Sequence, residues 1–164
     1  MRNKRFHKIA LGGGCHWCTE AVFQALNGVE KVEQGYVASA VPYDAFSEAV
    51  IVHFEPEIIP LEMLIEIHLH THKSTSNHSF RSKYRSAIYF YSEAQKRDAQ
   101  RIRAQLQEHF EQPLITQVLA FKHFQASRES LHDYYKSDPE KPFCKTYIVP
   151  KLQLLMQQYG KHLK

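Results

Sequence analysis

The sequence predicts an α+β fold in which helices flank one mixed β-sheet. Short apolar segments alternate with segments of helical periodicity in the order β-α-β-β-α-β, which is the split βαβ or ferredoxin-like arrangement. A chain of 164 residues, 43% of them hydrophobic, is long enough to bury an autonomous core. We therefore expect a ferredoxin-like core with a C-terminal extension, folded as a single domain over residues 1–164.

The core elements are predicted from periodicity and from turn residues. Three glycines end the first strand, Gly28 occupies the place of a left-handed helix cap, and Pro60 opens the second helix. A polar loop is expected from residue 71 to residue 82. The elements are, in chain order, a strand over 6–11, a helix over 15–27, strands over 29–37 and 49–54, a helix from residue 60 and a strand over 84–91.

The C-terminal extension is predicted to add three helices and one strand. Ser92-Glu93-Ala94-Gln95 reads as a capping box that opens a charged helix reaching about residue 110. A strand over 114–121 and helices over 127–135 and 150–164 complete the extension.

Composition excludes several classes of protein. The charged fraction of 23%, with six Gly and seven Pro, does not suit a disordered or collagen-like chain. No apolar run is long enough for a membrane helix, and the basic start precedes too short an apolar segment for a signal peptide, so a cytoplasmic location is expected. The net charge of +4 is spread along the chain, which argues against a nucleic-acid partner.

Three cysteines, an odd number, favour a reducing compartment over a disulfide framework. Cys15 and Cys18 form a C-x-x-C pair that follows Gly12-Gly13-Gly14 at a predicted strand-to-helix turn. The positive end of the helix dipole would favour a thiolate on Cys15, which predicts a nucleophile. Such a pair is typical of redox chemistry or of half a zinc site, while two buried small side chains are the plain alternative.

The residues around this turn resemble the peptide methionine sulfoxide reductase A family. Gly-Cys-His-Trp-Cys-Thr-Glu-Ala-Val-Phe is similar to the family's Gly-Cys-Phe-Trp signature, and Glu129 and His132 resemble its Glu-x-x-His segment. Further similarity covers most of the chain in order, through Leu26, Gly28-Val29, Gly35-Tyr36, Glu48-Ala49-Val50, Glu55-Pro56, Leu64, His72 and Tyr84-Arg85-Ser86-Ala87-Ile88-Tyr89.

This resemblance implies a role for each matching residue. Cys15 would attack the sulfoxide sulfur, and a protonated Glu48 would supply the proton that the departing oxygen needs. Tyr84 and, in a shortened loop, Tyr43 would hold the substrate oxygen. Trp17 would form the apolar wall for the methyl group on sulfur.

Two departures from the family pattern affect the expected substrate site. The family's Phe after the nucleophile is His16, which makes the methyl pocket more polar or allows the ring to donate a proton. The Asp that the family has a few residues before the position of Tyr84 is absent, because residues 79–83 contain no carboxylate.

The resemblance also implies thiol-dependent reduction of methionine S-sulfoxide, free or in proteins, as repair of oxidative damage. Attack leaves a sulfenic acid on Cys15, which a second thiol converts to a disulfide. Cys18 is favoured as the resolving thiol because it is near in sequence, and Cys144 is the alternative. Thioredoxin is the expected external dithiol, with no bound cofactor or metal.

Other functions are open at this point. Cys15 and Cys18 would make a zinc site with members of a histidine cluster, namely His68, His70, His72 and His78. A thioredoxin-like C-x-x-C oxidoreductase and a non-catalytic module that binds methionine sulfoxide are the remaining alternatives.

Overall fold

The computed structural model describes residues 7–76, 84–127, 134–138 and 140–164 of the protein. Its strands are β1 (His7–Gly12), β2 (Val29–Ala38), β3 (Ser47–Phe54), β4 (Ala87–Phe90), β5 (Gln117–Ala120) and β6 (His123–Ala126). They form one six-stranded sheet in the order β5-β4-β1-β3-β2-β6. The pair β4–β5 is parallel and the other four pairs are antiparallel, so the sheet is mixed.

Five α-helices accompany this sheet in the described part of the chain. They are α1 (His16–Gln24), α2 (Leu61–His70), α3 (Glu93–Leu106), α4 (Tyr134–Ser137) and α5 (Val149–Tyr159), and a π-helical turn over Cys144–Ile148 precedes α5. The predicted α+β class, a mixed sheet with flanking helices, is confirmed. Within the described residues, none of the helices has the length and apolarity that crossing a bilayer requires.

Alternation along β3 decides which of its side chains meet the helices. Val50 and Val52 belong to the main core cluster together with side chains of α1, α2, α3 and α5, whereas Ile51 packs in a smaller cluster. Successive side chains of a strand point to opposite faces of the sheet. Glu48 therefore points to the same face as Val50, and its carboxylate is buried against the helical layer.

Several element boundaries differ from the sequence-based expectation for local reasons. The first helix ends at Gln24, not at residue 27, because Leu26 instead forms a β-bridge with Leu163. Gly28 does have a positive φ of +95°, but it lies in the turn into β2 and Ala25 is the helix cap. The predicted strand 84–91 is reduced to β4.

The C-terminal half also departs from prediction. The strand expected over 114–121 is the shorter β5, and β6 was not predicted. β6 is a short, polar strand at the edge of the sheet, and its backbone pairs with a neighbour on one side only. Its sequence therefore shows no alternation of apolar and polar residues that would predict a strand. Of the helix expected over 127–135, residues 128–133 lie outside the described residues and α4 covers Tyr134–Ser137. The last predicted helix begins one residue earlier and ends as α5 at Tyr159, with a 3₁₀ turn over Gly160–His162.

Gly35 provides a test of the edge strand. A β-carbon on Gly35 would overlap the Gln125 carbonyl oxygen and lie 2.7 Å from the Phe124 ring, both in β6. We expect Gly35→Ala to displace β6 and to lower the free energy of unfolding by about 1–3 kcal/mol in urea denaturation. Gly160→Ala is the matched control, because no atom lies within 4 Å of the added carbon. Equal stability of the two variants would contradict the pairing of β2 with β6.

Candidate active site

The turn after β1 leaves no room for side chains. A β-carbon on Gly12 would lie 2.9 Å from the Glu48 carbonyl oxygen and 3.1 Å from that of Arg85. A β-carbon on Gly13 would overlap the His72 ring. These close approaches explain Gly12 and Gly13, and they bring the chain that leads into α1 against β3 and against the segment before β4.

Cys15 is the N-cap residue of α1, and its carbonyl oxygen accepts hydrogen bonds from the backbone amides of Cys18 and Thr19 at 3.1 and 3.2 Å. Cys15 is partly exposed and Cys18 is buried. All three cysteines of the protein are free thiols. The structure therefore places the C-x-x-C pair where the sequence predicts it, at the strand-to-helix turn.

A hydrogen bond between the two sulfurs changes the pKa values of Cys15 and Cys18 in opposite directions. Cys15 donates its thiol hydrogen to Cys18, which raises the pKa of Cys15, and burial raises it further. The same hydrogen bond lowers the pKa of Cys18. The hydrogen bond from Cys15 to Cys18 therefore acts against the effect of the helix dipole on Cys15, and a thiolate on Cys15 stays a prediction.

Lys151 of α5 is a cation beside the two sulfurs that the sequence analysis missed. Its Nζ donates to the Thr71 carbonyl oxygen at 2.7 Å, and its charge also lowers the pKa of Cys18. Burial lowers the pKa of Lys151 itself. No motif marks this residue, since it is distant in sequence and reaches the site only when α5 docks.

Cys144 is fully buried at the start of the π-helical turn. It belongs to one small apolar cluster with Cys18, Ala21 and Ile148. Its thiol hydrogen is directed to the Asp138 carbonyl oxygen at 3.5 Å, not to another sulfur. The fold therefore brings all three cysteines to one region, and the hydrogen bond to Cys15 belongs to Cys18.

His16 and Glu48 form a buried pair directly beside Cys15. His16 Nδ1 lies 2.8 Å from Glu48 Oε1, and the side chains are 4% and 5% exposed. Burial alone would lower the pKa of His16, but its contacts with Cys15 and Glu48 raise it to about 9. One ligand atom from each of Cys15, His16 and Glu48 lies within 4.8 Å of the others.

Aromatic rings surround this pair. The Tyr36 ring centroid lies 5.4 Å from that of His16, and Tyr36 is the cross-strand neighbour of Glu48. Trp17 stacks on His16 at 5.9 Å and meets the Phe143 ring edge-on at 5.1 Å. Tyr36 was not predicted as a site residue, because its position opposite Glu48 follows only from the strand register.

Arg85 anchors the segment that carries Glu48. Its backbone amide donates to Ser47 Oγ at 2.8 Å, and its guanidinium donates to the carbonyl oxygens of Val37 and Ala45 at 3.0 and 3.1 Å. The loop before β3 is thereby joined to the residue that follows Tyr84. These bonds fix the position of Glu48 relative to the end of β1.

A cavity of about 890 Å³ opens at the cysteines. Its walls include Cys15, Cys18 and Tyr84, together with Phe143, Tyr147, Lys73 and Lys151. The expected substrate contacts Trp17, His16 and Tyr43 are not among the residues that line it. Tyr43 lies elsewhere, where its hydroxyl accepts a hydrogen bond from Gln117 Nε2 at 2.6 Å.

The histidine cluster does not converge on the cysteines to form the zinc site considered above. His68 Nε2 lies 2.8 Å from the Gly12 carbonyl oxygen, His72 Nε2 lies 2.8 Å from Ser86 Oγ, and His70 Nε2 lies 3.1 Å from His109 Nδ1. His78 lies outside the described residues. Among those described, Cys15, His16 and Glu48 are the one set of three with donors close enough to hold a metal ion.

A hydrogen-bonded dithiol beside a buried imidazole–carboxylate pair, open to a cavity, is the site of a thiol-dependent oxidoreductase. Residues 7–163 match the family model described as peptide methionine sulfoxide reductase. The chain belongs to this family, and it is an oxidoreductase that reduces methionine sulfoxide. The thioredoxin-like and non-catalytic alternatives are set aside by this membership.

Individual relatives extend over nearly the whole chain. The peptide methionine sulfoxide reductase MsrA of one Thermus thermophilus strain is 34% identical over an alignment 168 residues long. The alignment covers 94% of this chain and 96% of the relative. That of Sulfolobus acidocaldarius is 32% identical over 91% and 93%. The fold is similar to that of reduced Mxr1 from Saccharomyces cerevisiae, with a TM-score of 0.76, 21% identity and coverage of 89% and 93%. Mxr1 in complex with Trx2 matches with a TM-score of 0.64, 22% identity and coverage of 78% and 85%.

Lys151→Met tests the electrostatic link between α5 and the cysteines. Removing the cation leaves the thiolate of Cys18 less stabilised, so we expect the pKa of Cys18 to rise, measured by the ultraviolet absorbance of the thiolate against pH. Lys161→Met, at an exposed lysine of the C-terminal 3₁₀ turn, is the control. An unchanged thiolate titration in Lys151→Met would show that Lys151 does not act on the pair.

Proposed function

We propose that the protein reduces the S epimer of methionine sulfoxide, free or in proteins, with Cys15 as the nucleophile. The observation that carries this proposal is the position of Cys15 at the cavity wall, within 4.8 Å of the donor atoms of His16 and Glu48. The sulfur of the substrate can approach Cys15 from the cavity.

Glu48 and Tyr84 complete the proposed catalytic group. The buried Glu48, which lies against His16, is proposed to take part in protonating the sulfoxide oxygen as the bond between sulfur and oxygen breaks. Tyr84 lines the cavity and is proposed to donate a hydrogen bond to the same oxygen. Contacts of His16, Trp17 and Tyr43 with substrate stay predictions, as none of these residues lines the cavity.

Cys18 is proposed to resolve the sulfenic acid formed on Cys15. The thiol of Cys18 displaces water from the sulfenic acid, so that a Cys15–Cys18 disulfide forms. The hydrogen bond between the two sulfurs, the lowered pKa of Cys18 and the non-helical N-cap conformation of Cys15 support this choice over Cys144. An external dithiol must then reduce the disulfide, and thioredoxin is proposed for that step, as Mxr1 forms a complex with Trx2.

We also propose a ferredoxin-like core within a single catalytic domain over residues 1–164. The antiparallel strand order β4-β1-β3-β2 supports it, with α1 joining β1 to β2 and α2 lying between β3 and β4. One core cluster unites Ile9 near the start of the described chain with Tyr159 near its end. A cytoplasmic location stays a prediction from the cysteine count.

The first functional test compares the two epimers of methionine sulfoxide. With a dithiol reductant we expect reduction of the S epimer and almost none of the R epimer, measured as methionine formed. Cys15→Ser should abolish turnover and keep the fold, because a hydroxyl at the same turn is far less ionised. Equal rates on both epimers would refute the stereochemical assignment. A Cys15→Ser enzyme with about a tenth of the rate would remove Cys15 from the nucleophile role.

The second functional test separates the two candidate resolving thiols. Cys18→Ser should complete a first turnover and release methionine, but thioredoxin-driven recycling should fail because no disulfide forms with Cys15. Cys144→Ser is the matched control and should recycle normally. Non-reducing peptide mapping after one equivalent of sulfoxide should show a Cys15–Cys18 bridge. A Cys15–Cys144 bridge as the main product would contradict the choice of Cys18.

A further inference from the structure

His16 is a polar residue at a position where the family signature has phenylalanine. Its side chain is 4% exposed, and its ring lies between the nucleophile and a buried carboxylate. Burying an imidazole in an otherwise aromatic pocket is unfavourable unless the ring has partners. The substitution therefore changes the chemistry available next to Cys15, not only the shape of the pocket.

We propose that His16 is the catalytic acid of this enzyme, giving its proton to the sulfoxide oxygen, and that Glu48 is the positioning residue that orients and charges the His16 ring. The proposal deepens the function proposed above and rests on it. It assigns the proton to an imidazolium where the family resemblance alone assigns it to a carboxylic acid.

The geometry orients the ring for this role. Glu48 Oε1 lies 2.8 Å from His16 Nδ1 and 3.4 Å from the His16 backbone amide, so the carboxylate holds both ends of the residue. The Tyr36 and Trp17 rings, at 5.4 and 5.9 Å, restrict its rotation. Cys15 attacks the sulfoxide sulfur, and the sulfoxide oxygen is bonded directly to that sulfur. A ring nitrogen of His16 lies within 4.8 Å of the Cys15 sulfur, so the oxygen comes within reach of the ring.

The groups around His16 favour its charged form. Cys15 and Cys18 lie on the same helix start, Glu48 faces it from β3 and Tyr36 from β2, while Lys151 of α5 is directed to the cysteines. Hydrogen bonds to Cys15 and to Glu48 raise the pKa of His16 to about 9 against the effect of burial. The ring is thus protonated at neutral pH, whereas a carboxylic acid needs strong desolvation to keep its proton there.

The proposed step balances in atoms, charge and electrons. The Cys15 sulfur loses its proton to solvent and forms a bond with the sulfoxide sulfur. The bond between sulfur and oxygen in the sulfoxide breaks, and the oxygen takes the proton of the His16 imidazolium and leaves as hydroxide. The hydroxide then bonds to the Cys15 sulfur, and the bond between the two sulfurs breaks with its electron pair on the methionine sulfur. Cys15 has lost two electrons and the methionine sulfur has gained two. The products are the sulfenic acid of Cys15, neutral His16, the thioether of methionine and the proton released from Cys15.

The principal test is the pH dependence of single-turnover reduction of the S-sulfoxide in the full-length protein. The acid is present below the pKa of His16 and is lost as the pH rises through it, so the wild-type rate should fall on the alkaline side, near pH 9. His16→Gln keeps a polar N–H group beside Glu48 but has no transferable proton. We expect it to lose about 100- to 10,000-fold in rate at neutral pH, together with the alkaline decline.

Two further variants protect this test against a folding defect. His16→Phe places an apolar ring in the same space and should also lose the alkaline decline. His123→Gln, at an exposed histidine of the edge strand β6, is the control for removing a histidine and should behave as the wild type. A folded His16→Gln or His16→Phe enzyme within about threefold of the wild-type rate, with the alkaline decline intact, would overturn the proposal.

A spectroscopic titration tests the role of Glu48 without relying on activity. In the reduced protein with Cys15 intact, the imidazole resonances of His16 should titrate with a pKa above that of an ordinary histidine, and Glu48→Gln should lower that pKa. An unchanged His16 titration in Glu48→Gln would overturn the positioning role. Absence of S-sulfoxide reduction by the wild type would refute the proposed function itself, which separates that failure from the failure of this inference.

Discussion

The absence of space at the end of β1 is the constraint on which the site depends. Gly12 is enclosed by the backbones of the neighbouring strands, and Gly13 lies against the His72 ring. His72 is itself held by Ser86 at 2.8 Å, so the obstruction is not a freely moving side chain. Because only glycine fits at these two positions, the chain runs close to the sheet there, and α1 begins beside it. Cys15 and His16 consequently lie next to Glu48, which the adjacent strand carries on the same face.

The site concentrates ionisable groups where burial alone would neutralise them. Each group has a specific partner: Cys18 has the Cys15 thiol and Lys151, and His16 has Glu48. Removing one member of such a pair leaves an uncompensated buried charge, which costs more than the pair contributes to stability. The arrangement is therefore explained by chemistry at the cysteines and not by stabilisation of the fold.

The C-terminal extension is part of this site and not an appendage. The π-helical turn brings Cys144 into one cluster with Cys18, and α5 provides Lys151. Aromatic residues of the same region, Phe143 and Tyr147, form one wall of the cavity. The elements from β1 to β4 thus carry Cys15, Cys18, His16 and Glu48, while the extension contributes Lys151 and much of the cavity wall.

Local sequence determined the α+β class, the strand–glycine–cysteine–helix junction and the identity of Cys15 and Cys18 as candidates, because periodicity, glycines and short motifs are local signals. Glu48 became a candidate only through the family resemblance. It did not reveal β6, Lys151 or Tyr36, whose places depend on strand register and on the docking of distant segments. It also placed Cys15 at a helix start, which is visible in sequence, whereas the hydrogen bond between the two sulfurs is not. Only the tertiary structure, which sets distances between side chains remote in sequence, decided which groups share protons.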